Sequence, residues 1–254
     1  MTALTIAEFR KVTSLRFWWL LALTPVLAAA LSGALFATLA PAENRGTLAL
    51  TAGTASLSVY LSIGATAAFA AVFGAVAAGT EFAHRTITTT MITAPNRDLV
   101  VAAKLLVAAA VGLGYAAAVA VVGLLLLSAL ARNNFQANLG LVGSVSAGSF
   151  AVLCWALVGT GLALAVRSWP IALAVLGGWC LLVEPAFVVV GWGLDADGLT
   201  AWLPVSATAG VVGAGLFQQP TLVFNWPGAL LWLMVWTVAA VGAGWWRTRS
   251  HDLA

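Results

Sequence analysis

The chain is poor in charge. Only 7% of its 254 residues are Asp, Glu, Lys or Arg, against about 25% in soluble domains. That deficit excludes a soluble enzyme and makes the bilayer the solvent. A hydrophobic fraction of 62% and a mean hydropathy of +1.03 agree. Cysteine is scarce. Cys154 and Cys180 both lie in apolar runs, which argues against a disulfide framework and for two inert thiols. The two histidines, His84 and His251, are far apart with no cysteine nearby, so metal-ligand spacing is absent. Lysine is as rare: Lys11 and Lys104 are the only two, and neither follows a glycine. A Walker A loop needs that Gly-Lys pair, so the chain carries no P-loop. Gly210, Gly213 and Gly215 follow no strand and suit helix packing, not phosphate binding. No Ser/His/Asp arrangement emerges. No catalytic, cofactor-binding or metal-binding residue is assigned.

What is present is long apolar runs. Six spans are expected: Phe17–Leu39, Thr54–Ala78, Leu99–Leu130, Leu141–Val166, Trp169–Trp192 and Pro227–Trp246. Each approaches or exceeds the roughly 20 residues that cross about 30 Å of hydrocarbon. The first run is too long for a signal-peptide core. Residues 1–16 alternate apolar Leu4, Ile6 and Phe9 with charged Glu8, Arg10, Lys11 and Arg16. That pattern predicts an interfacial helix on the membrane surface. Arg167-Ser168 makes a tight turn between spans four and five. The fold class is therefore all-α and polytopic, in one membrane domain over 1–254.

Six spans put both termini on one side. That side would hold Arg10, Lys11, Arg16, Arg85, Arg97, Lys104, Arg167, Arg247 and Arg249, and the other only Arg45 and Arg132. The asymmetry places both termini in the cytoplasm. Residues 193–226 are too long for a simple loop and too broken by Pro204 and Pro220 for a span. They read as an extracellular re-entrant or interfacial pair of short helices. Glu184 is the single acidic residue inside a span, where a charge costs roughly 2.5–3.5 kcal/mol. It reads either as a hydrogen-bonded brace against 193–226 or as a pathway or proton site.

The longest polar interruption runs from Glu81 to Lys104. Thr80 suits an N-cap, Glu81 the first turn, and Glu81 and Arg85 are spaced to pair. Pro95 stops that helix. Asn96 caps the next, with Asp98 in its first turn. Five threonines between Thr86 and Thr93 weaken the helix, but no neighbouring segment offers a pairing strand. Residues 80–95 are thus expected as a cytoplasmic helix, with Phe82 and Met91 as apolar anchors and Glu81 and Arg85 at its rim.

Glu81-Phe82, Thr86, Thr89-Thr90, Pro95, Arg97 and Ala103-Lys104-Leu105 resemble the first cytoplasmic loop of ABC-2 type permeases. Arg85 stands where that pattern has glycine. The six-span plan resembles the family over nearly the full length. The resemblance implies the membrane subunit of a bacterial exporter in the cytoplasmic membrane, two permease subunits forming the pathway, and separate ATPase subunits that bind ATP and Mg. Glu81, Phe82, Arg85, Met91, Pro95 and Arg97 would dock the ATPase. Drugs, natural products or lipids would be the cargo. Membrane lipids are the other expected partner, and nucleic acid is not one. The rival readings are an ion-coupled carrier using Glu184 and an assembly protein that moves nothing.

Overall fold

A computed structural model of the chain describes residues 2–14, 17–39, 57–87, 96–130, 139–194, 197–213 and 226–250. Among these residues every regular element is helical. The N-terminal helix α1 spans Thr2–Ser14. Then come α2 (Phe17–Leu39), α3 (Leu57–Ala83), α4 (Arg97–Leu130) and α5 (Leu139–Val166). The fifth span is composite: α6 (Trp169–Gly178), a π-helical turn (Trp179–Val183) and α7 (Glu184–Gly193). A 3-10 turn (Asp197–Trp202) and the short α8 (Pro204–Val212) lead to α9 (Trp226–Ser250). Among the described residues six helices are long and apolar enough to cross a membrane. This is the architecture of a multi-pass membrane protein.

The centre is α3 packed on α5, with α4 against both and α9 on the other side of α5. Lipid tails are as apolar as leucine, so burying leucines cannot drive helices together; close van der Waals contact must. The sequence supplies it with glycine. A Cβ on Gly159 of α5 would stand 2.0 Å from the Ala71 carbonyl oxygen of α3, and one on Gly74 would stand 2.2 Å from the Ala156 carbonyl oxygen. The α5–α9 crossing repeats the device: Gly161 abuts the Ala240 carbonyl at 2.6 Å and Gly244 the Gly161 carbonyl at 2.4 Å, measured from the same added atom. Backbones touch at both crossings because nothing projects between them.

The outer helices are held by a few polar pins. The Tyr115 hydroxyl of α4 donates to the Trp18 carbonyl, and the Ser32 and Ser62 hydroxyls share a hydrogen bond of 3.1 Å between α2 and α3. The fifth span is the least embedded, with only 6% of its apolar stretch buried. Its base is fixed by Ala172, fully buried, and by Trp169 pressed on Gly79.

The fifth span changes pitch where its sequence demands it. Pro185 has no N–H to give the carbonyl four residues back, and its ring crowds that turn. The helix widens there: the Glu184 N–H bonds to the Trp179 carbonyl, five residues away. Such π-turns are the usual way an α-helix absorbs a local misfit.

Candidate functional site

The two lysines meet. Lys104, near the start of α4, donates to Glu8 of α1 at 3.0 Å and pairs with Glu81 of α3 at 2.5 Å. Lys11 of α1 bridges the same carboxylates at 2.7 and 3.1 Å. The Lys104 side chain is 4% exposed, Glu8 7%, Glu81 11% and Lys11 45%. Three charges are therefore buried within the protein and one reaches its surface. Glu81 Oε2 is buried without a partner among the described residues. Burial pushes the Glu8 carboxyl up, but Lys104 and Lys11 outweigh it and hold it below its ordinary range. Burial pulls the Lys11 ammonium down, and its bonds to Glu8 and Glu81 more than reverse this.

The network clamps α1 across the ends of α3 and α4, and it inverts the expected face of α1. Glu8 and Val12 point inward, while Ile6 and Phe9 lie exposed beside Arg10. The outward face is mixed, since Arg10, Lys11, Thr13 and Ser14 are exposed on it as well.

The same end of the bundle gathers Asp98, Arg167, Arg247 and Arg249. Asn96 accepts the Asp98 N–H at 2.9 Å and so caps α4. Asp98 accepts from the Trp245 indole at 2.8 Å, and Arg249 lies 5.4 Å over that ring. Arg167 donates to the Arg247 carbonyl at 3.2 Å. The end of α9 is thus tied both to α4 and to the α5–α6 turn.

Several expectations for 80–95 change here. No helix begins at Thr80. Residues 80–83 are the last turn of α3, because the apolar periodicity runs on through Ala78 without a breaker. Glu81 is no rim charge and does not pair with Arg85; burial beside two lysines selects it for the ion network instead. Phe82 is not a free anchor. It is partly buried against the cluster of Ile87 and Val100, on which Leu4 of α1 also packs, and against the cluster that holds Ala78 and Val101. Arg85 and Arg97 are exposed. Arg85 ends the helix with φ of 56°, a left-handed conformation that costs a side-chain-bearing residue about 1–2 kcal/mol and glycine almost nothing. Met91 and Pro95 lie outside the described residues.

Glu184 sits at the far end of the bundle, at the first residue of α7. Its carboxylate accepts the Val205 N–H at 3.0 Å and the Ser206 N–H at 2.5 Å. These amides are orphans of the first turn of α8, whose own N-cap, Leu203, has no side chain to offer. Glu184 supplies the missing cap from another element, with the sign that a helix N-terminus favours. Buried α8 also takes a bond from within the bundle, Trp155 Nε1 to Thr208 Oγ1 at 2.7 Å. A glutamine at this position would not keep both bonds. The two N–H groups meet different carboxylate oxygens, and in the amide one of those acceptors becomes an NH2 that faces a donor. Glu184→Gln is expected to cost about 1–3 kcal/mol, read as a lower unfolding temperature in detergent. An unchanged temperature would mean that the carboxylate does not hold α8.

Two apolar clefts flank the fifth span. One, about 230 Å³, lies between α5, the fifth span and α9, with Trp155, Trp179, Cys180 and Trp236 in its walls and Pro204 at one end. The other, about 370 Å³, lies between α3, α5 and the fifth span, near Gly64, Ala68, Leu173 and Val205. Among the described residues no group of His, Cys, Asp or Glu is arranged to hold a metal ion.

Compared with known proteins, the chain matches no family model and no curated relative.

Of the residues expected to dock an ATPase, only Glu81 enters the buried network. Glu8, Lys11 and Lys104 were not anticipated there. The available signal was Lys104, one of two lysines in the chain, set within an apolar run that gives it no water.

Proposed function

We propose that this chain is the permease subunit of an ATP-driven exporter of the ABC-2 type. With a second permease subunit it would form the pathway for a drug, natural product or lipid, and separate ATPase subunits would supply the energy. The observation that carries the reading, beside the sequence resemblance, is the Glu8–Lys11–Glu81–Lys104 network. An ATPase acts from the cytoplasm, so its push must reach the spans through a rigid contact. The network fastens both ends of the 81–104 stretch, and α1 with them, to spans two and three. A force applied to the segment between Ile87 and Asn96 therefore reaches the spans through buried ion pairs instead of being lost in a slack loop.

The finer topology belongs to the same reading. Both termini, α1 and the ion network face the cytoplasm, α1 lies in the interface, and residues 193–226 re-enter from outside. In the bacterial cytoplasmic membrane, an impermeant thiol reagent added to intact cells should label a cysteine placed at Asn133 and spare one at Asn96. The reverse pattern would overturn the orientation.

Docking is tested by replacing residues 88–95 with a Gly-Ser linker of equal length. The spans and the ion network are untouched, so the protein should still insert at normal levels. The co-purifying ATPase subunit and the transport it drives should be lost. If both survive, this segment is not the coupling element. Glu184 as the coupling carboxylate of a carrier is less favoured, because both its oxygens are engaged in capping α8.

A further inference from the structure

Lys104 has a hydrogen bond to spare. An ammonium carries three N–H donors and no acceptor. Two of them are engaged, with Glu8 Oε2 at 3.0 Å and with Glu81 Oε1 at 2.5 Å. The third finds no acceptor among the described residues, although the side chain is almost fully buried. Leaving a buried donor of a charged group unpaired costs more than leaving a neutral one. Buried polar groups are therefore nearly always paired, with protein or with ordered water.

Lys104 also lines a cavity of about 20 Å³. Glu8 and Val12 of α1, Phe73 of α3, Val107 of α4 and Thr160 of α5 share its walls, and all of them are buried. The polar groups on the walls complement one another. The two oxygens of Glu8 accept one bond each, from Lys11 and from Lys104, and a carboxylate has about four acceptor sites. The Thr160 hydroxyl gives its one proton to the Ala156 carbonyl at 2.8 Å, so its oxygen is left to a guest only as an acceptor. The cavity thus offers a guest one donor, Lys104, and two acceptors, Glu8 and Thr160. Among the described residues neither Glu8 nor Lys104 bonds to α5 directly.

We propose that this cavity is the site of one structural water that joins the ion network to α5. The water accepts from Lys104 Nζ and donates to Thr160 Oγ1 and to the Glu8 carboxylate. Three bonds are the usual number for a buried water. Size selects a single molecule, since a water needs about 10–15 Å³ of such space. Charge selects a neutral one: a cation would meet the Lys104 ammonium, and an anion the Glu8 carboxylate. Wholly apolar cavities stay dry, but this one carries three polar groups with matching vacancies. With the water in place the buried ammonium has all three donors paired. The network then reaches α5, the helix at the centre of the bundle, as well as α1, α3 and α4. The site rests on the network's geometry and not on the export reading, so the two stand or fall separately.

The test is X-ray radiolytic footprinting of the full chain in lipid nanodiscs, with millisecond exposures and mass spectrometry of the oxidised residues. A water split by the beam yields a hydroxyl radical that attacks the side chains beside it. Phe73 is fully buried, as are Leu127 and Leu164, which do not line the cavity. After correction for intrinsic reactivity, Phe73 should be oxidised several-fold faster than those two leucines. A radical scavenger in the bulk should not protect it, because the radical is born in place. Thr160→Val keeps the shape of the side chain and removes the acceptor, so oxidation of Phe73 should fall several-fold. Thr160→Ser keeps the hydroxyl and should keep the oxidation. Phe73 labelled no faster than Leu127 and Leu164 would mean a dry cavity and would overturn the proposal, whatever the variants do. So would full protection of Phe73 by the bulk scavenger, or equal labelling in the valine and serine variants.

Discussion

Lys104→Ala is expected to unfasten the N-terminal helix. The ammonium lies between Glu8 and Glu81 at 3.0 and 2.5 Å and is almost fully buried. Removing it leaves two carboxylates facing each other inside the protein, with only the half-exposed Lys11 to share. Deleting one partner of a buried ion pair typically costs about 3–5 kcal/mol, because the remaining charge is neither solvated nor paired. The result should be a large fall in unfolding temperature and a loss of amide hydrogen-exchange protection confined first to α1. Replacing the buried members together with apolar residues (Lys104→Met with Glu8→Leu and Glu81→Leu) should recover most of the stability, since the desolvation cost disappears with the charges. If the single variant keeps its unfolding temperature and α1 stays protected, the network does not hold α1.

Under the export proposal, the apolar triple variant also separates two roles. As a mere staple, the network can be replaced by packing without loss of transport. As the route by which a cytoplasmic push reaches spans two and three, it needs the directional ion pairs, and the stable triple variant should couple poorly.

Gly159→Ala should be as damaging, although it adds a single methyl group. That carbon would stand 2.0 Å from the Ala71 carbonyl oxygen, a backbone atom at the centre of α3. Backbone cannot rotate aside as a side chain can, so α3 and α5 must separate. Separation also loosens the reciprocal contact of Gly74 on the Ala156 carbonyl. Overpacking a tight site costs about 1–3 kcal/mol and sometimes more; with two linked contacts the upper end is expected, about 3 kcal/mol. Gly177→Ala is the control. It too is a helical glycine, but nothing lies within 4 Å of the added carbon, so helix propensity alone should act and stabilise by roughly 0.5–1 kcal/mol. Thermal unfolding of the purified variants reads both. Equal effects at the two positions would mean that α3 and α5 do not touch at Gly159.

The contrast between these glycines explains what was legible beforehand. Both sit in small-residue runs with nothing local to tell them apart. Only the crossing of α3 over α5 makes one indispensable. The same holds for Glu81 and Phe82, which look like surface features of a polar loop when the chain is read alone. They become interior features because α1 folds back across residues seventy or more positions away.

What the sequence determined by itself was set over short range, although the Thr80 cap and the Glu81–Arg85 pair, also short-range, did not form. Hydropathy marked the six spans, because crossing hydrocarbon is a matter of length and composition. Asn96 declared its cap on α4, Arg167-Ser168 its tight turn, and Pro185 its disturbance of the fifth span, because each acts through the backbone of its near neighbours. Tertiary structure alone decided the partners. Lys104 found Glu8 across 96 positions and Glu184 found the amides of α8 across 21. A buried charge or an orphan amide constrains that a partner must exist, and only the packing of helices decides which one comes within reach.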